Sequence, residues 1–169
     1  MYYLIKHFGM KNLFILFSVA FLGLAACKKD KPLTAFDKAT YADILQYEPM
    51  FSSQDIYVKY PEPDGLKPGA IIFYKTNDGT YGKLKIVSTG EGADPKLTID
   101  IVNYNSDGSV LNKYSNVVIG KSVGCDLETG LTYSGGQNNS SDFWWGSPDA
   151  INYRILPLGG SEFYVFLKP

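Results

Sequence analysis

Short segments of alternating apolar and polar residues, separated by turn residues, constrain the fold of this chain most. Two Asp-Gly pairs, Asp78-Gly79 and Asp107-Gly108, each lie between such segments. Asp-Gly in that position is a strong signal for a hairpin of two antiparallel strands. The pattern predicts about nine strands, at residues 70–75, 81–87, 97–101, 110–119, 121–127, 131–134, 143–145, 151–156 and 163–167, after a first alternating stretch at 55–60.

The close spacing of these segments indicates the fold class. A parallel pair of strands needs a long connection, usually a helix, and the connections here are too short for one. The sequence therefore predicts an all-β, mostly antiparallel domain, either a β-sandwich or a meander β-barrel. Within residues 81–87 the period of two predicts that Leu84 and Ile86 face the core while Lys83 and Lys85 face water.

One short helix is predicted before the strands. Thr34 and Asp37 are both suitable N-cap residues, and Pro49 ends the helical pattern. The residues on its apolar face are Phe36, Ala39, Ile44 and Tyr47. We expect an amphipathic helix of this kind to pack on a sheet.

The first residues of the chain have the order of a secretory signal. Lys6, His7 and Lys11 come before or at the start of an uncharged, mostly apolar run at residues 12–27, which ends in small residues and a cysteine. The run has 16 residues, whereas a membrane-spanning helix needs about 20. We therefore expect this segment to be cleaved rather than to remain as a membrane span.

The end of the run, Leu24-Ala25-Ala26-Cys27, resembles the lipobox of bacterial lipoproteins. The resemblance implies cleavage before Cys27 and a diacylglyceryl group on its sulfur, which would anchor the chain to a lipid bilayer. It divides the chain into a signal peptide at 1–26, the lipidated cysteine with a charged tether at 27–33, and a single β-rich domain at 34–169. An ordinary secretory signal with a chance cysteine is the alternative.

The chain is similar to the small lipoproteins of Gram-negative cell envelopes. In those proteins an aspartate directly after the lipidated cysteine favours retention in the inner membrane. Lys28 stands at that position here, so the resemblance implies the outer membrane. It leaves open whether the domain faces the periplasm or the cell surface.

The residue types that remain after cleavage exclude several functions. The 14 basic and 17 acidic residues give a weak negative balance, which argues against nucleic acid as a partner. His7 is the only histidine and leaves with the signal, which excludes histidine-dependent nucleophilic catalysis and imidazole metal sites. Cys125 is the one cysteine besides Cys27, and its strand-like surroundings predict a buried thiol. No cofactor is predicted.

Two patterns of oxygen-bearing side chains are candidate sites. The run Asn103-x-Asn105-x-Asp107-Gly108 fits the first half of a calcium loop, but position twelve is Tyr114 instead of glutamate, so a plain hairpin is favoured and no metal site is predicted. Saccharide hydrolysis by carboxylates alone needs two acids about 5 to 9 Å apart. The 17 acids include no motif that marks such a pair, so no catalytic residue is predicted.

The adjacent Trp144 and Trp145 are the candidate ligand-binding residues. They follow a polar, glycine-containing loop at residues 135–142. Neighbouring residues of a strand point to opposite faces, so one ring is expected in the core and the other at the surface, unless a second layer covers it. A surface ring of this kind stacks on sugars or anchors a protein partner.

The sequence thus predicts a membrane-anchored envelope lipoprotein with a non-catalytic binding or interaction role. The expected ligand is a glycan or an envelope protein. A carboxylate-only hydrolase acting on saccharide and a structural envelope component are the two alternatives. An exposed aromatic surface would favour binding, and two close acids in a cleft would favour the hydrolase.

Overall fold

Two five-stranded antiparallel sheets pack against each other in the computed structural model, which describes residues 32–58, 65–90, 92, 94–135, 138–147 and 152–169. The strands are β1 (Ile56–Tyr57), β2 (Ile71–Lys75), β3 (Tyr81–Thr89), β4 (Leu97–Tyr104), β5 (Val110–Ile119), β6 (Val123–Cys125), β7 (Thr132–Ser134), β8 (Phe143–Gly146), β9 (Arg154–Pro157) and β10 (Glu162–Leu167). Sheet A has the order β10-β2-β3-β4-β5, and sheet B has the order β1-β9-β8-β6-β7. Residues Leu33–Pro169 form one compact unit. The predicted signal peptide and Cys27 lie outside the described residues.

The all-β prediction is confirmed, in its sandwich form. Sheet A ends in edge strands β10 and β5, and sheet B ends in β1 and β7. Over the described ranges neither sheet closes on itself, so the barrel alternative is wrong. The core between the sheets includes Leu84 and Ile86, which face it as predicted, together with Ile99, Ile101, Cys125, Phe143, Trp145 and Ile155.

The pairing of strands is sequential only in part. Strands β2 to β5 form consecutive hairpins, and β6 pairs with β7. Strand β1, however, pairs with β9, and β10 returns to pair with β2 at the edge of sheet A. The last strands therefore hold the first strand in place, and residues near 55 lie beside residues near 154.

The predicted helix is two short helices. They are α1 (Ala35–Lys38) and α2 (Tyr41–Tyr47), followed by a 3-10 turn at Glu48–Met50 that contains Pro49. Thr34 and Thr40 each form a capping box with the aspartate three residues later. The second box starts a new helix because the Thr40 side chain accepts from the Asp43 N–H. No helix in the described part of the chain has the length and apolar character needed to cross a membrane.

The helices cover the outer face of sheet A, and this makes one prediction wrong. Lys83 was expected to face water, but it is only 3% exposed. Its ammonium donates hydrogen bonds to the carbonyl oxygens of Phe36 and Ala39, the latter at 2.5 Å. Lys85, on the same face, remains partly exposed and pairs with Asp100 at 2.7 Å. Alternation places both lysines outside the main core, but the helical layer then buries one of them.

Candidate functional site

The two adjacent tryptophans lie on opposite faces of strand β8. Trp145 points between the sheets, is 1% exposed, and donates its indole N–H to the carbonyl oxygen of Pro95 at 3.1 Å. Its ring centroid lies 5.5 Å from that of Tyr153. Trp144 points to the outer face of sheet B and is partly exposed. Trp145 is therefore a core residue, and the binding hypothesis for these two residues narrows to Trp144.

Glycine shapes the surface beneath the Trp144 ring. A Cβ placed on Gly146 would lie only 2.0 to 2.3 Å from three atoms of that ring. The indole thus lies directly over Gly146, two residues along the same face of the strand. Gly124, which pairs with Trp144 across the neighbouring strand β6, also has no side chain. These two glycines let a large ring lie against the sheet with its remaining surface towards solvent.

Other large side chains share this outer face, and strand register identifies them. Leu156 and Tyr133 lie in the same row as Trp144, on either side of it. The next row contains Tyr57, Arg154 and Gly146. We call the five side chains on this face the sheet B platform: Tyr57, Tyr133, Trp144, Arg154 and Leu156.

Arg154 gives the platform a fixed polar group. Its Nη1 donates to Asp55 Oδ2 at 2.7 Å, and its guanidinium carbon lies 4.9 Å from the centroid of the Tyr57 ring. The Tyr57 side chain is 45% exposed. A planar guanidinium that stacks on an aromatic ring and pairs with a carboxylate is held in one orientation. The platform therefore combines aromatic surface with a positioned hydrogen-bond donor.

A cavity of about 460 Å³ adjoins the platform at Tyr57. It lies where edge strand β1 of sheet B meets the end of edge strand β10 of sheet A. The described residues that line it are Asp55, Ile56, Tyr57, Gly65, Leu66, Asn152, Val165 and Lys168. This volume lies in the usual range for sites that hold small ligands.

A second group of functional side chains, three acids, lies at another place in the fold. Carboxylate oxygens of Asp126, Glu128 and Asp142 lie within 4.8 Å of one another. Asp142 Oδ1 accepts from the Asn77 N–H at 3.0 Å and the Ser161 hydroxyl at 2.9 Å, and its Oδ2 accepts from the Leu127 N–H at 2.7 Å. These donors come from three different turns. Asp142 thus links three connections at one end of the sandwich.

Burial and mutual repulsion change the protonation of this group. Burial, together with the neighbouring Asp142 carboxylate, raises the pKa of Glu128 to about 7. Burial also raises the pKa of Asp142. Since Asp142 accepts three hydrogen bonds, it is the better anion of the two, and Glu128 keeps the proton. The buried Oε1 of Glu128 has no hydrogen-bond partner among the described residues. Because no donor stabilises a negative charge on this oxygen, the protonated form of Glu128 is favoured.

The accessibility of the three acids decides what they can do. Asp142 is 0% exposed, so its carboxylate cannot reach a glycosidic bond. Asp126 Oδ1 accepts from the Thr129 N–H at 3.0 Å. Although these oxygens are near enough to one another to surround a cation, the hydrogen bonds from the turns already occupy much of their capacity to accept. Within the described structure, the arrangement is that of a structural link.

Two other residues singled out by the sequence also have internal roles. Asn103, the first residue of the calcium-like pattern, is fully buried, and its amide nitrogen donates to Asn112 Oδ1 and to the Leu127 carbonyl oxygen. Its side chain therefore does not point into the 105–108 turn. Cys125 is buried in β6, and burial raises the pKa of its thiol, which makes it a poor nucleophile.

Comparison with known protein families, curated proteins and solved structures found no match to this chain. Sequence reasoning singled out Trp144 but not Tyr57 or Arg154, because their positions on the platform depend on the pairing of β1 with β9. It also did not single out Glu128 and Asp142, which meet only when three turns come together.

Proposed function

We propose that this chain is a lipid-anchored protein of the bacterial cell envelope and that its β-sandwich domain binds a glycan on the sheet B platform. The binding role is non-catalytic. The observation that supports it best is Trp144, a large aromatic ring that lies over Gly146 on the outer face of the sheet and keeps part of its surface in solvent. The lipobox-like Leu24-Ala25-Ala26-Cys27 supports the anchor.

The platform has the two kinds of group that sugar recognition uses. The C–H face of a sugar ring is apolar, and covering it with an aromatic ring removes both surfaces from water. The hydroxyl groups of a sugar need hydrogen-bond partners, which Arg154 and Asp55 supply beside the exposed ring of Tyr57. From strand spacings, Tyr57 and Trp144 are roughly 12 Å apart. That distance suits an oligosaccharide better than a single sugar.

A protein partner is the alternative occupant of the same surface, because tyrosine, tryptophan and arginine are also enriched at protein interfaces. The hydrolase alternative is less well supported. The group of three close acids in the described structure includes Asp142, which is fully buried and hydrogen-bonded to three turns. A purely structural envelope role would not account for the exposed aromatic surface of Tyr57 and Trp144.

Binding is tested on the domain from residue 33 onward with a glycan array, followed by calorimetry on the glycans that bind. We expect Trp144→Ala to weaken binding by about tenfold or more, since a stacked aromatic ring at a binding site contributes on that order. Leu111→Ala, which removes an exposed apolar side chain from strand β5 of sheet A, serves as the matched control. Equal binding by wild type and Trp144→Ala would contradict the proposal.

The anchor has its own test in the full-length chain. We expect Cys27→Ser to release the protein from the membrane fraction, because the acylated sulfur is the proposed attachment. If the variant stays wholly with membranes after a salt wash, the lipid anchor is wrong. That result would leave the binding proposal intact.

A further inference from the structure

The cavity beside Tyr57 carries the further inference, which rests on the proposed glycan-binding function. We propose that this cavity takes an anionic sugar residue of the bound glycan, with Lys168 as the counter-ion. The preferred ligand is thus an acidic oligosaccharide, one end of which lies on Trp144 while a carboxylate-bearing sugar enters the cavity.

Continuity between the platform and the cavity is the first argument. Tyr57 belongs to both, since it lies beside Arg154 in the outer row of sheet B and also lines the cavity. A chain of sugars that crosses the platform from Trp144 towards β1 therefore arrives at the cavity mouth. With about 460 Å³ of space, the cavity accommodates more than an isolated ion.

Charge is the second argument. Among the described residues that line the cavity, two side chains are charged, those of Asp55 and Lys168. Asp55 is already paired with Arg154 at 2.7 Å, so its negative charge is compensated. Lys168 has no ion pair or hydrogen bond within the part of the chain that the structure describes. The described part of the lining therefore presents one positive charge, that of Lys168, which no acidic side chain of that part compensates.

The remaining walls suit a sugar ring rather than a small ion. Ile56, Leu66 and Val165 are apolar, and Tyr57 adds an aromatic surface. A bare anion would gain nothing from these walls and would lose water on entering. A sugar with a carboxylate places its C–H face on the apolar side and its charge at Lys168. This complementarity favours a uronic acid residue over inorganic phosphate or a neutral sugar.

The test uses two ligands with the same sugar chain, an oligogalacturonate of defined length and its fully methyl-esterified form, in which each carboxylate is replaced by an uncharged ester. Affinities are measured by calorimetry at low and physiological salt. Since an exposed charge pair contributes modestly, we expect the wild type to bind the acid about threefold to fivefold more tightly than the ester. Lys168→Ala should remove this preference, so that the acid and the ester bind with equal affinity. Lys168→Arg keeps the positive charge and should retain the preference. Lys113→Ala, which removes a lysine from strand β5 of sheet A, should leave the ratio unchanged.

The outcomes separate this inference from the proposed function. If the acid and the ester bind equally to the wild type, or if Lys113→Ala changes the ratio as much as Lys168→Ala, the cavity proposal is wrong while glycan binding stands. If Trp144→Ala binds both ligands as well as the wild type but Lys168→Ala loses the preference, the platform proposal is wrong and the cavity proposal stands. If a panel of acidic and neutral glycans shows no binding, both proposals are wrong.

Discussion

The outer faces of the two sheets have similar sequence patterns but differ in how far their side chains are buried. On sheet A, outward residues such as Ile71 and Phe73 are fully buried, because α1 and α2 pack over them. On sheet B, the outward Tyr57 and Trp144 keep exposed surface. Both faces are rich in aromatic residues. A covering layer thus determines whether such residues form a second core or a surface that can bind a ligand.

The covering layer of sheet A comes from the segment just before the first strand. Phe36 and Ile44 enter the second core, and the aromatic rings of Tyr47 and Phe166 lie 5.6 Å apart beside them. The same layer buries Lys83, whose ammonium donates hydrogen bonds to the carbonyl oxygens of Phe36 and Ala39. The described residues provide no corresponding helical layer over sheet B. Substitutions of outward residues should therefore lower the stability of the domain on sheet A and weaken ligand binding on sheet B.

The largest difference is expected between the two tryptophans. Trp145→Ala should lower the free energy of unfolding by about 3 to 5 kcal/mol, because it empties a fully buried site and leaves the Pro95 carbonyl group without its donor. Trp144→Ala should cost about 1 kcal/mol, since the ring is only partly buried. Denaturant unfolding monitored by circular dichroism measures both. Equal and large losses would mean that both rings are buried and that sheet B has no free face.

A smaller effect is expected on the covered face. Lys83→Ala should cost about 2 to 3 kcal/mol, because it leaves the buried carbonyl oxygens of Phe36 and Ala39 without donors. Lys85→Ala is the matched control on the same strand and face, and the loss of its partly exposed pair with Asp100 should cost less than about 1 kcal/mol. Thermal melts of the two variants give the comparison. If both melt alike, the helical layer does not bury Lys83 as described.

The smallest of these effects is a pH dependence at the acid cluster. Glu128 binds its proton up to about pH 7 in the folded protein, against an ordinary value of 4.5. The folded state therefore holds an extra proton between these values, and stability should fall as pH rises from 4.5 to 7. At this partly exposed site we expect a loss of about 1 kcal/mol. The only histidine, His7, precedes the domain, so no imidazole titrates in this interval.

Glu128→Gln is the variant that tests the pH dependence. Glutamine keeps the shape of the protonated acid and cannot ionise, so the stability of the variant should be nearly constant from pH 5 to pH 8. Asp78→Asn, in the exposed β2–β3 turn, is the control and should retain the slope of the wild type. Urea unfolding at several pH values gives the slopes. A wild-type domain that gains stability over this interval would contradict the assignment of the proton to Glu128.

Local features of the fold could be predicted from the sequence, and distant pairings could not. Asp107-Gly108 determines a hairpin because the turn residues and the paired strands are neighbours in the chain. Asp55 and Arg154 are 99 positions apart, and no local signal pairs them. Alternation predicted that the two tryptophans face opposite ways, but only the register of β8 determines that Trp145 is the inward one.

The same limit explains the errors on sheet A. The pattern around Lys83 indicates which side of the strand it occupies, but it contains no information about what packs on that side. The capping boxes at Thr34 and Thr40 are visible as Thr-x-x-Asp in the sequence and could have indicated two helices. Tyr57 and Lys168 had no recognisable motif, since the cavity they line is formed by edge strands from different sheets.

Tryptophan fluorescence tests the central claim, that the outer face of sheet B is an open binding surface, most directly. The chain has two tryptophans, so Trp145→Phe leaves Trp144 as the only one and Trp144→Phe leaves Trp145. We expect acrylamide to quench Trp144 strongly in the free domain and weakly when the oligogalacturonate is bound, whereas Trp145 is weakly quenched in both states. Circular dichroism confirms that each variant is folded. Equal quenching of the two tryptophans, or no protection of Trp144 by any glycan that binds, would contradict the account.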